Sequence, residues 1–274
     1  RRMGIFSHGV DRVQVHRDEP VFDGQFSNQC YQDAVEEAFR DFRAKAVTDG
    51  RWDPEGETVL TEDWARIIMH LPYAFQAKRM FPAVFAYERR GSASWADVEA
   101  EIGLPPSIDE FDDTLDGQAE HAKALDGYRR RISKTQAYRD FHAERIEKGQ
   151  RASSLIGNQY TGSIFLAMMS TFESDYESDS PLDGQQFGLC GYGSGAKAKV
   201  FEGVVSDRWR EVVASWNLFE RMAGRMAIDQ VTYELLHKGI HEGSVLKPRG
   251  EFALVEIEGG EGELEGARSY AWVE

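Results

Sequence analysis

The stretch that decides the fold is Gln186-Phe187-Gly188-Leu189-Cys190-Gly191-Tyr192, which runs into the loop Gly193-Ser194-Gly195 and then into Lys199-Val200-Phe201-Glu202-Gly203-Val204-Val205. Two apolar runs on either side of a short glycine loop predict a β-hairpin. A third run, Ile67-Ile68-Met69, is typical of a buried strand and ends at His70. We therefore expect a sheet in the core.

Helical patterns surround these strands. Ser27 is a suitable N-cap, and the apolar residues that follow it predict a helix ending near residues 48–50. Residues 74–88 predict a second helix, which Pro82 is expected to kink or to end in its first part. Residues 161–169 are apolar on all sides, which predicts a buried helix. The fold class is mixed α/β.

The ends and the middle of the chain carry patterns of their own. Val13 and Val15 alternate with polar residues, as in a short strand. Residues 91–150 join a Gly-, Pro- and Asp-rich segment to helices charged almost all round, which predicts a helical surface insertion. Residues 251–257 and 269–273 predict a closing hairpin.

Composition excludes several classes of function. Among 274 residues, 32 are Lys or Arg and 47 are Asp or Glu, so the net charge is −15. A nucleic-acid or anionic membrane surface demands a basic face, so neither is an expected partner. No apolar run approaches the roughly 18 residues of a membrane span. Two cysteines are too few for a disulfide framework, and a reducing cytoplasm is predicted.

The chain begins at Arg1 and shows no secretory signal pattern. We therefore expect it to be part of something longer.

Two side chains have positions suited to catalysis. His70 follows a buried strand and precedes Pro72, where an imidazole can act as a general acid or base. A purely structural histidine, hydrogen-bonded at the strand end, fits the same position. Asn158 follows Gly157, and its amide can donate to a carbonyl oxygen. An Asn that tolerates a left-handed turn is the alternative there.

Other groups are possible ligands or nucleophiles. Cys30 is expected in the first turn of a helix, a place that lowers a thiol pKa, whereas Cys190 lies in an apolar strand and indicates packing. The Gly193-Ser194-Gly195 loop allows a close approach of a ligand to the backbone, or is simply a tight turn. Lys197 and Lys199 either attract an anion or face solvent.

Four segments, in order along the chain, together resemble one family, the hydroxymethylglutaryl-CoA synthases. The resemblance covers nearly the whole chain and is faint only over residues 91–150. These segments are Pro20-Val21-Phe22-Asp23-Gly24-Gln25-Phe26-Ser27-Asn28-Gln29-Cys30-Tyr31, Met69-His70-Leu71-Pro72-Tyr73, Gly157-Asn158-Gln159-Tyr160-Thr161-Gly162-Ser163 and Gly188-Leu189-Cys190-Gly191-Tyr192-Gly193-Ser194-Gly195.

The resemblance implies a thiolase-like fold of αβαβα layers, of which this chain would hold the C-terminal half and the end of the N-terminal half. It implies condensation of acetyl-CoA with acetoacetyl-CoA in a cytoplasmic homodimer, with coenzyme A thioesters as substrates and neither cofactor nor metal. It also implies that His70 orients the acetoacetyl thioester and that Asn158 lies beside it. Ser27, Tyr160 and Ser194 match substrate-contacting positions.

Departures from the family pattern leave alternatives open. Two family lysines that approach coenzyme A fall on Phe75 and Arg79, and Lys78 is a neighbouring substitute. The family's catalytic Cys and Glu precede every matched segment, so we predict that residues 1–274 alone are inactive. One alternative is a synthase whose acceptor is bound to an acyl carrier protein. Another is a non-catalytic thiolase-like subunit that works with a partner.

Overall fold

The computed structural model describes residues 24–53, 59–193, 195–241, 243–259 and 262–274. They fall into two compact units, one extending to Glu220 and the other comprising Arg221–Glu274. The strand pattern around Val13 and Val15 and part of the 51–60 connection lie outside the described residues. Among the described residues, no helix combines the length and apolar character needed to cross a bilayer.

The first unit contains a three-stranded sheet. Its strands are β1 (Arg66–Met69), β2 (Gln186–Gly193) and β3 (Lys197–Val204), in the order β1-β2-β3. β1 and β2 are parallel, whereas β2 and β3 form an antiparallel hairpin. Both the predicted hairpin and the predicted buried strand are therefore confirmed.

Helices outweigh strands in this unit. The helices within it are α1 Gly24–Thr48, α2 Gln76–Arg89, α3 Ala93–Ile102, α4 Leu115–Ile132, α5 Gln136–Arg145, α6 Glu147–Ile156, α7 Ser163–Glu177 and α8 Trp209–Val213, and α9 (Leu218–Ala223) includes the boundary between the units. A 3-10 turn, Tyr160–Gly162, precedes α7.

Helices cover both faces of the sheet. Neighbouring residues of a strand point to opposite faces. On β2, Phe187 stacks on Phe172 of α7, with ring centroids 5.1 Å apart. Gly188 lies under the Trp64 ring, which in turn packs on Phe39 of α1 at 6.1 Å. Thus α1 and α7 lie on opposite faces, with the sheet between them.

Two helices differ from the sequence expectation, α1 in where it begins and α2 in the effect of its proline. The prediction that Ser27 caps α1 is wrong, because the helix begins at Gly24 and Ser27 lies inside it. Pro82 neither ends nor visibly interrupts α2, which continues to Arg89. Pro82 has no N–H for the Lys78 carbonyl, and the Tyr138 hydroxyl donates to that carbonyl instead, at 3.1 Å.

The buried face of α7 is also not the one that its composition suggests. The helix was expected to bury an apolar surface on all sides, but Phe165 is 59% exposed. Its buried positions are mainly small, polar or charged. These are Ser163, Ala167, Ser170, Thr171, Glu173, Ser174 and Asp175. Ser170 accepts from the Ala152 N–H and donates to the Lys148 carbonyl, so hydrogen bonds join α7 to α6.

Residues 91–150 are helical, as expected, but they are not confined to the surface. Tyr138 packs edge-on against Phe85 of α2 at 5.3 Å, and Phe81 stacks on Phe141 at 5.6 Å. The helices α3, α4 and α5 of this segment each pack an apolar side against the main core. The buried residues are Trp95, Val98, Ile102, Tyr128, Ile132, Tyr138, Phe141 and Ile146. That this segment is an insertion stays a prediction.

The second unit contains α10 (Gln230–His237) and a two-stranded sheet of β4 (Glu251–Ile257) and β5 (Arg268–Val273). The strands are antiparallel, with an irregularity between Leu254 and Glu256, so the predicted closing hairpin is confirmed.

Candidate functional site

His70 lies directly after β1, with both of its backbone polar groups held by neighbours. Its N–H donates to the Cys190 carbonyl at 2.9 Å, which extends the β1–β2 ladder by one residue. Its carbonyl accepts from the Tyr31 hydroxyl of α1 at 2.8 Å. The imidazole centroid is 6.1 Å from that of Tyr192. The sheet and α1 together fix the position of this histidine.

The surroundings of His70 favour a neutral ring. Its side chain is buried, with the residue 7% exposed, and burial lowers the pKa of the imidazole below its ordinary value. A neutral imidazole carries one N–H donor and one acceptor nitrogen. The group can therefore donate a hydrogen bond to an oxygen at neutral pH without carrying a charge of its own.

Asn158 lies in the turn between α6 and α7. Gly157 ends α6 with φ +90°, and Tyr160 has φ +48°, so the left-handed residues are its neighbours. The Asn158 Oδ1 accepts from the Tyr160 N–H at 2.7 Å and from the Ser163 hydroxyl at 3.2 Å. These bonds orient the amide. Its Nδ2 has no hydrogen-bond partner within the described ranges.

The structure brings the turn that carries Asn158 to the end of β2. The 3-10 turn Tyr160–Gly162 contacts β2, and a Cβ added to Gly191 would come within 3.9 Å of the Ile164 side chain on α7. Gly191 follows Cys190, whose carbonyl holds His70. His70 and Asn158 therefore border the same strand end. Tyr160 is 79% exposed beside them.

A cleft of about 840 Å³ opens between α1 and the β2–β3 loop. Gly193 and Gly195 line it, and Ser194 between them lies outside the described residues. Ser27 is half-buried in α1, next to the lining residue Phe26. The two lysines proposed to attract an anion, Lys197 and Lys199, also line the cleft. Three acidic residues line it as well: Asp33, Glu37 and Asp41.

Neither cysteine has the environment of an activated thiolate. Cys30 is the seventh residue of α1, so its expected first-turn position with a lowered pKa is wrong. Burial, and then the charge of Asp33, raise the pKa of Cys30. Cys190 is fully buried on β2, and burial raises its pKa to about 12. A thiol in either setting stays protonated at neutral pH.

A second cleft, of about 440 Å³, lies between α2 and α4. Its lining includes Lys78 and Arg79, the residues expected to contact coenzyme A, together with Phe75. Arg129 and Arg130 of α4 also line it, and sequence reasoning missed both. The run of three arginines at the end of α4 is the sequence feature that could have identified these two residues.

Groups of three or more His, Cys, Asp or Glu able to hold a metal ion do not occur in the part of the chain that the structure describes. The absence of a metal or cofactor stays a prediction.

Comparisons with known proteins give one consistent result. A family model described as hydroxymethylglutaryl-coenzyme A synthase C terminal matches residues 13–242. The hydroxymethylglutaryl-CoA synthase of Haloferax volcanii is 28% identical over 251 residues, covering 89% of this chain and 53% of that protein. The hydroxymethylglutaryl-CoA synthase of Saccharomyces cerevisiae is 23% identical over 260 residues, covering 91% of this chain and 49% of that protein. The chain spans about half the length of these curated relatives.

Solved structures agree. MvaS in complex with 3-hydroxy-3-methylglutaryl coenzyme A is similar with a TM-score of 0.67 and 26% identity, over 95% of this chain and 53% of that chain. The curacin biosynthetic pathway HMG synthase in complex with apo donor-ACP has a TM-score of 0.59 at 18% identity, over 95% of this chain and 54% of that chain. This similarity shows a shared fold. The chain has the thiolase-like architecture of these synthases.

Proposed function

Because the chain belongs to the hydroxymethylglutaryl-CoA synthase family, we propose that it forms the acceptor side of a synthase that condenses acetyl-CoA with acetoacetyl-CoA. The observation that supports this most strongly is the setting of His70. The residue is buried and neutral at the end of β1, and both of its backbone groups are held by hydrogen bonds.

The reaction needs a hydrogen-bond donor at the acceptor ketone. The α-carbon of an enzyme-bound acetyl thioester forms a bond to the keto carbon of acetoacetyl-CoA. The keto oxygen then gains negative charge and takes a proton to become a hydroxyl. A donor placed at that oxygen stabilises the developing charge. In our proposal the His70 N–H is this donor, and the Asn158 amide binds the thioester carbonyl.

The same chemistry also needs a carrier for the acetyl group and a base. A thiolate must carry the acetyl group, and a base must remove its α-proton. The high pKa of Cys190 and the raised pKa of Cys30 disfavour both thiols as carriers. We therefore propose that the acetyl-carrying Cys and the Glu base come from outside these 274 residues. Purified residues 1–274 should show no synthase turnover, and measurable turnover would refute this.

A binding comparison tests the role of His70. Calorimetric titration of the full chain should show tighter binding of acetoacetyl-CoA than of coenzyme A, because only the former offers a ketone. The His70→Ala variant should lose this preference while still binding both ligands. His237→Ala, on α10, is the matched control and should keep the preference. An unchanged preference in His70→Ala would remove His70 from the proposal.

A carrier-protein-bound acceptor is the second candidate. Phe75 stands where the resemblance places a coenzyme A-contacting lysine, and a phosphopantetheine arm on a carrier protein needs fewer such contacts. Tighter binding of an acetoacetyl carrier protein than of acetoacetyl-CoA would favour this candidate.

A further inference from the structure

A third cleft, of about 490 Å³, opens between α5, the end of α2 and the start of α3. Its described lining residues differ from those of the other two clefts. Arg145, the last residue of α5, lines it and donates to the Trp64 carbonyl, which precedes β1. His70 follows the other end of β1. The third cleft and the proposed acceptor site therefore lie at opposite ends of this strand.

Two arginines line the third cleft near enough to repel each other. Burial lowers the pKa of Arg89, and the charge of Arg145 lowers it further, while Glu62 raises it. The Arg89 side chain is only 5% exposed, and its Cζ lies 4.0 Å from the ring centroid of Phe85 and 4.5 Å from that of Phe141. The two rings hold the guanidinium in place before any ligand binds.

The carboxylates that balance these two charges extend into solvent. Glu62 is 2.9 Å from Arg89, and its side chain is 47% exposed. Glu144 is 3.5 Å from the Arg145 Nη2, and its side chain is 63% exposed. A long, exposed pair such as Arg145–Glu144 contributes little to stability. A ligand with two negative charges can therefore replace both carboxylates at small cost.

Arg145 also has a hydrogen-bond donor that is not used. Its Nη1 donates to the Trp64 carbonyl, but its buried Nε has no partner in the part of the chain that the structure describes. A buried donor without a partner is unfavourable. The Nε and Nη2 groups of a guanidinium form the two-pronged edge that binds a carboxylate or a phosphate. This edge of Arg145 suits an oxyanion.

The first turn of α3 adds positive potential to the same cleft. Ser94 in this turn lines the cleft. Ser92 occupies the N-cap position but does not cap the helix, because its hydroxyl donates to the Arg89 carbonyl at 2.7 Å. An uncapped helix N-terminus favours a negative charge. It adds to the attraction that the two arginines exert.

We propose that Arg89, Arg145 and the first turn of α3 bind a small molecule with two negative charges on oxygen, either a phosphate monoester or a short dicarboxylate. The ligand takes the place of Glu62 and Glu144 beside the two arginines. The cleft is larger than a bare phosphate ion and has apolar side chains in its wall, so it suits an anion that carries a small organic group. The site does not depend on the proposed function.

Calorimetric titration of the full chain at constant ionic strength tests this site, with inorganic phosphate and succinate as the two probes. The tighter-binding probe identifies the kind of anion. Arg145→Gln should weaken its binding by roughly 10- to 100-fold, because hydrogen bonds to a charged group are lost. Glu144→Gln should strengthen it by roughly two- to fivefold, because the competing carboxylate is gone.

Matched controls separate this site from general effects of charge. Glu211→Gln removes a carboxylate that is as exposed as Glu144 and is also paired with an arginine. Arg130→Gln removes a cation of the α2–α4 cleft, which also attracts phosphate. Neither change should alter the binding that Arg145→Gln weakens. Thermal melting should show that Arg145→Gln is folded, and Glu144→Gln tests the site independently because its side chain is exposed.

Two results would overturn the site. One is that neither phosphate nor succinate binds the unaltered chain at concentrations up to about 10 mM. The other is an affinity that stays the same in both Arg145→Gln and Glu144→Gln, which is expected if the anion binds only in the α2–α4 cleft. Binding of acetoacetyl-CoA is measured separately, so either result leaves the proposed function standing.

Discussion

At the scale of single residues, the contact between Gly188 and Trp64 fixes how the sheet packs. Trp64 is fully buried, and its indole N–H donates to Glu202 of β3 at 2.7 Å. A Cβ on Gly188 would lie only 2.0 Å from the indole ring. The ring has no room to retreat, because Phe39 and Phe42 of α1 lie behind it. A glycine at this position of β2 is required by sterics.

Gly188→Ala should therefore lower the free energy of unfolding by about 3 kcal/mol, as overpacking of a tight core does. Gly203→Ala is the matched control on the facing strand, where the nearest atom is 3.7 Å away. Urea denaturation of both variants measures the difference. Equal stability of the two variants would contradict this account of the Trp64 contact.

At this scale the sequence predicted where single residues lie in the elements, but not which distant residues they contact. The pattern around His70 predicted its place at a strand end, and the structure confirms that place. It could not show that Tyr31 holds the His70 carbonyl, because those residues are 39 positions apart. Arg130 was missed for the same reason, since only the packing of α4 against α2 brings it to Lys78.

At the scale of elements, Asp175 ties three of them together. Its carboxylate on α7 accepts from the Arg66 guanidinium of β1 at 2.6 and 2.9 Å and from Lys148 of α6. Burial alone would raise the pKa of Asp175, but hydrogen bonds from Arg66, Lys148 and Ser180 outweigh it and lower the pKa. The cluster explains why α7 can bury the Asp175 carboxylate.

Asp175→Asn should destabilise the protein by about 3 kcal/mol, because it leaves the partly buried Arg66 without its counter-charge. Asp179→Asn is the control, since Asp179 pairs with Arg210 but is 91% exposed. Its effect should stay below about 0.5 kcal/mol. Chemical denaturation provides both values, and a similar small loss in the two variants would count against the cluster.

The positions of the helices and strands could largely be predicted from the sequence, but which of their residues are buried could not. Apolar runs on either side of a glycine loop indicated β2 and β3, helical spacing indicated α1, and residues 74–88 were predicted to be helical. The charge on residues 118–150 suggested a surface location, yet one aromatic side of each helix is enough to join the core. In α7, by contrast, Ser and Thr side chains satisfy buried backbone groups, a role that hydrophobicity does not reveal.

At the scale of the whole molecule, two buried groups give stability opposite dependences on pH. Burial, with a smaller effect of the Lys78 charge, lowers the pKa of His142 to about 4. Its contribution is present above the ordinary value of 6.5 and is lost as the pH falls through 4. Burial raises the pKa of Glu88 to about 7, against the lowering effect of Arg43 and Arg89. Its contribution is present below 4.5 and is lost as the pH rises through 7.

The two effects nearly cancel between about pH 4.5 and 6.5, and single variants should separate them. In Glu88→Gln the free energy of unfolding should rise with pH across this window. In His142→Gln it should fall. Each change amounts to roughly 3 kcal/mol at most. Urea denaturation at several pH values measures the slopes, and parallel slopes in the two variants would contradict the assignment.

We propose that the acceptor site of the synthase lies around His70. The chain's family membership supports this arrangement, while its homodimeric state and cytoplasmic location stay predictions. A crystal structure of the chain with acetoacetyl-CoA tests the central claim most directly. Our account predicts the keto oxygen within hydrogen-bond distance of the His70 imidazole. An acyl group bound away from His70 would contradict it.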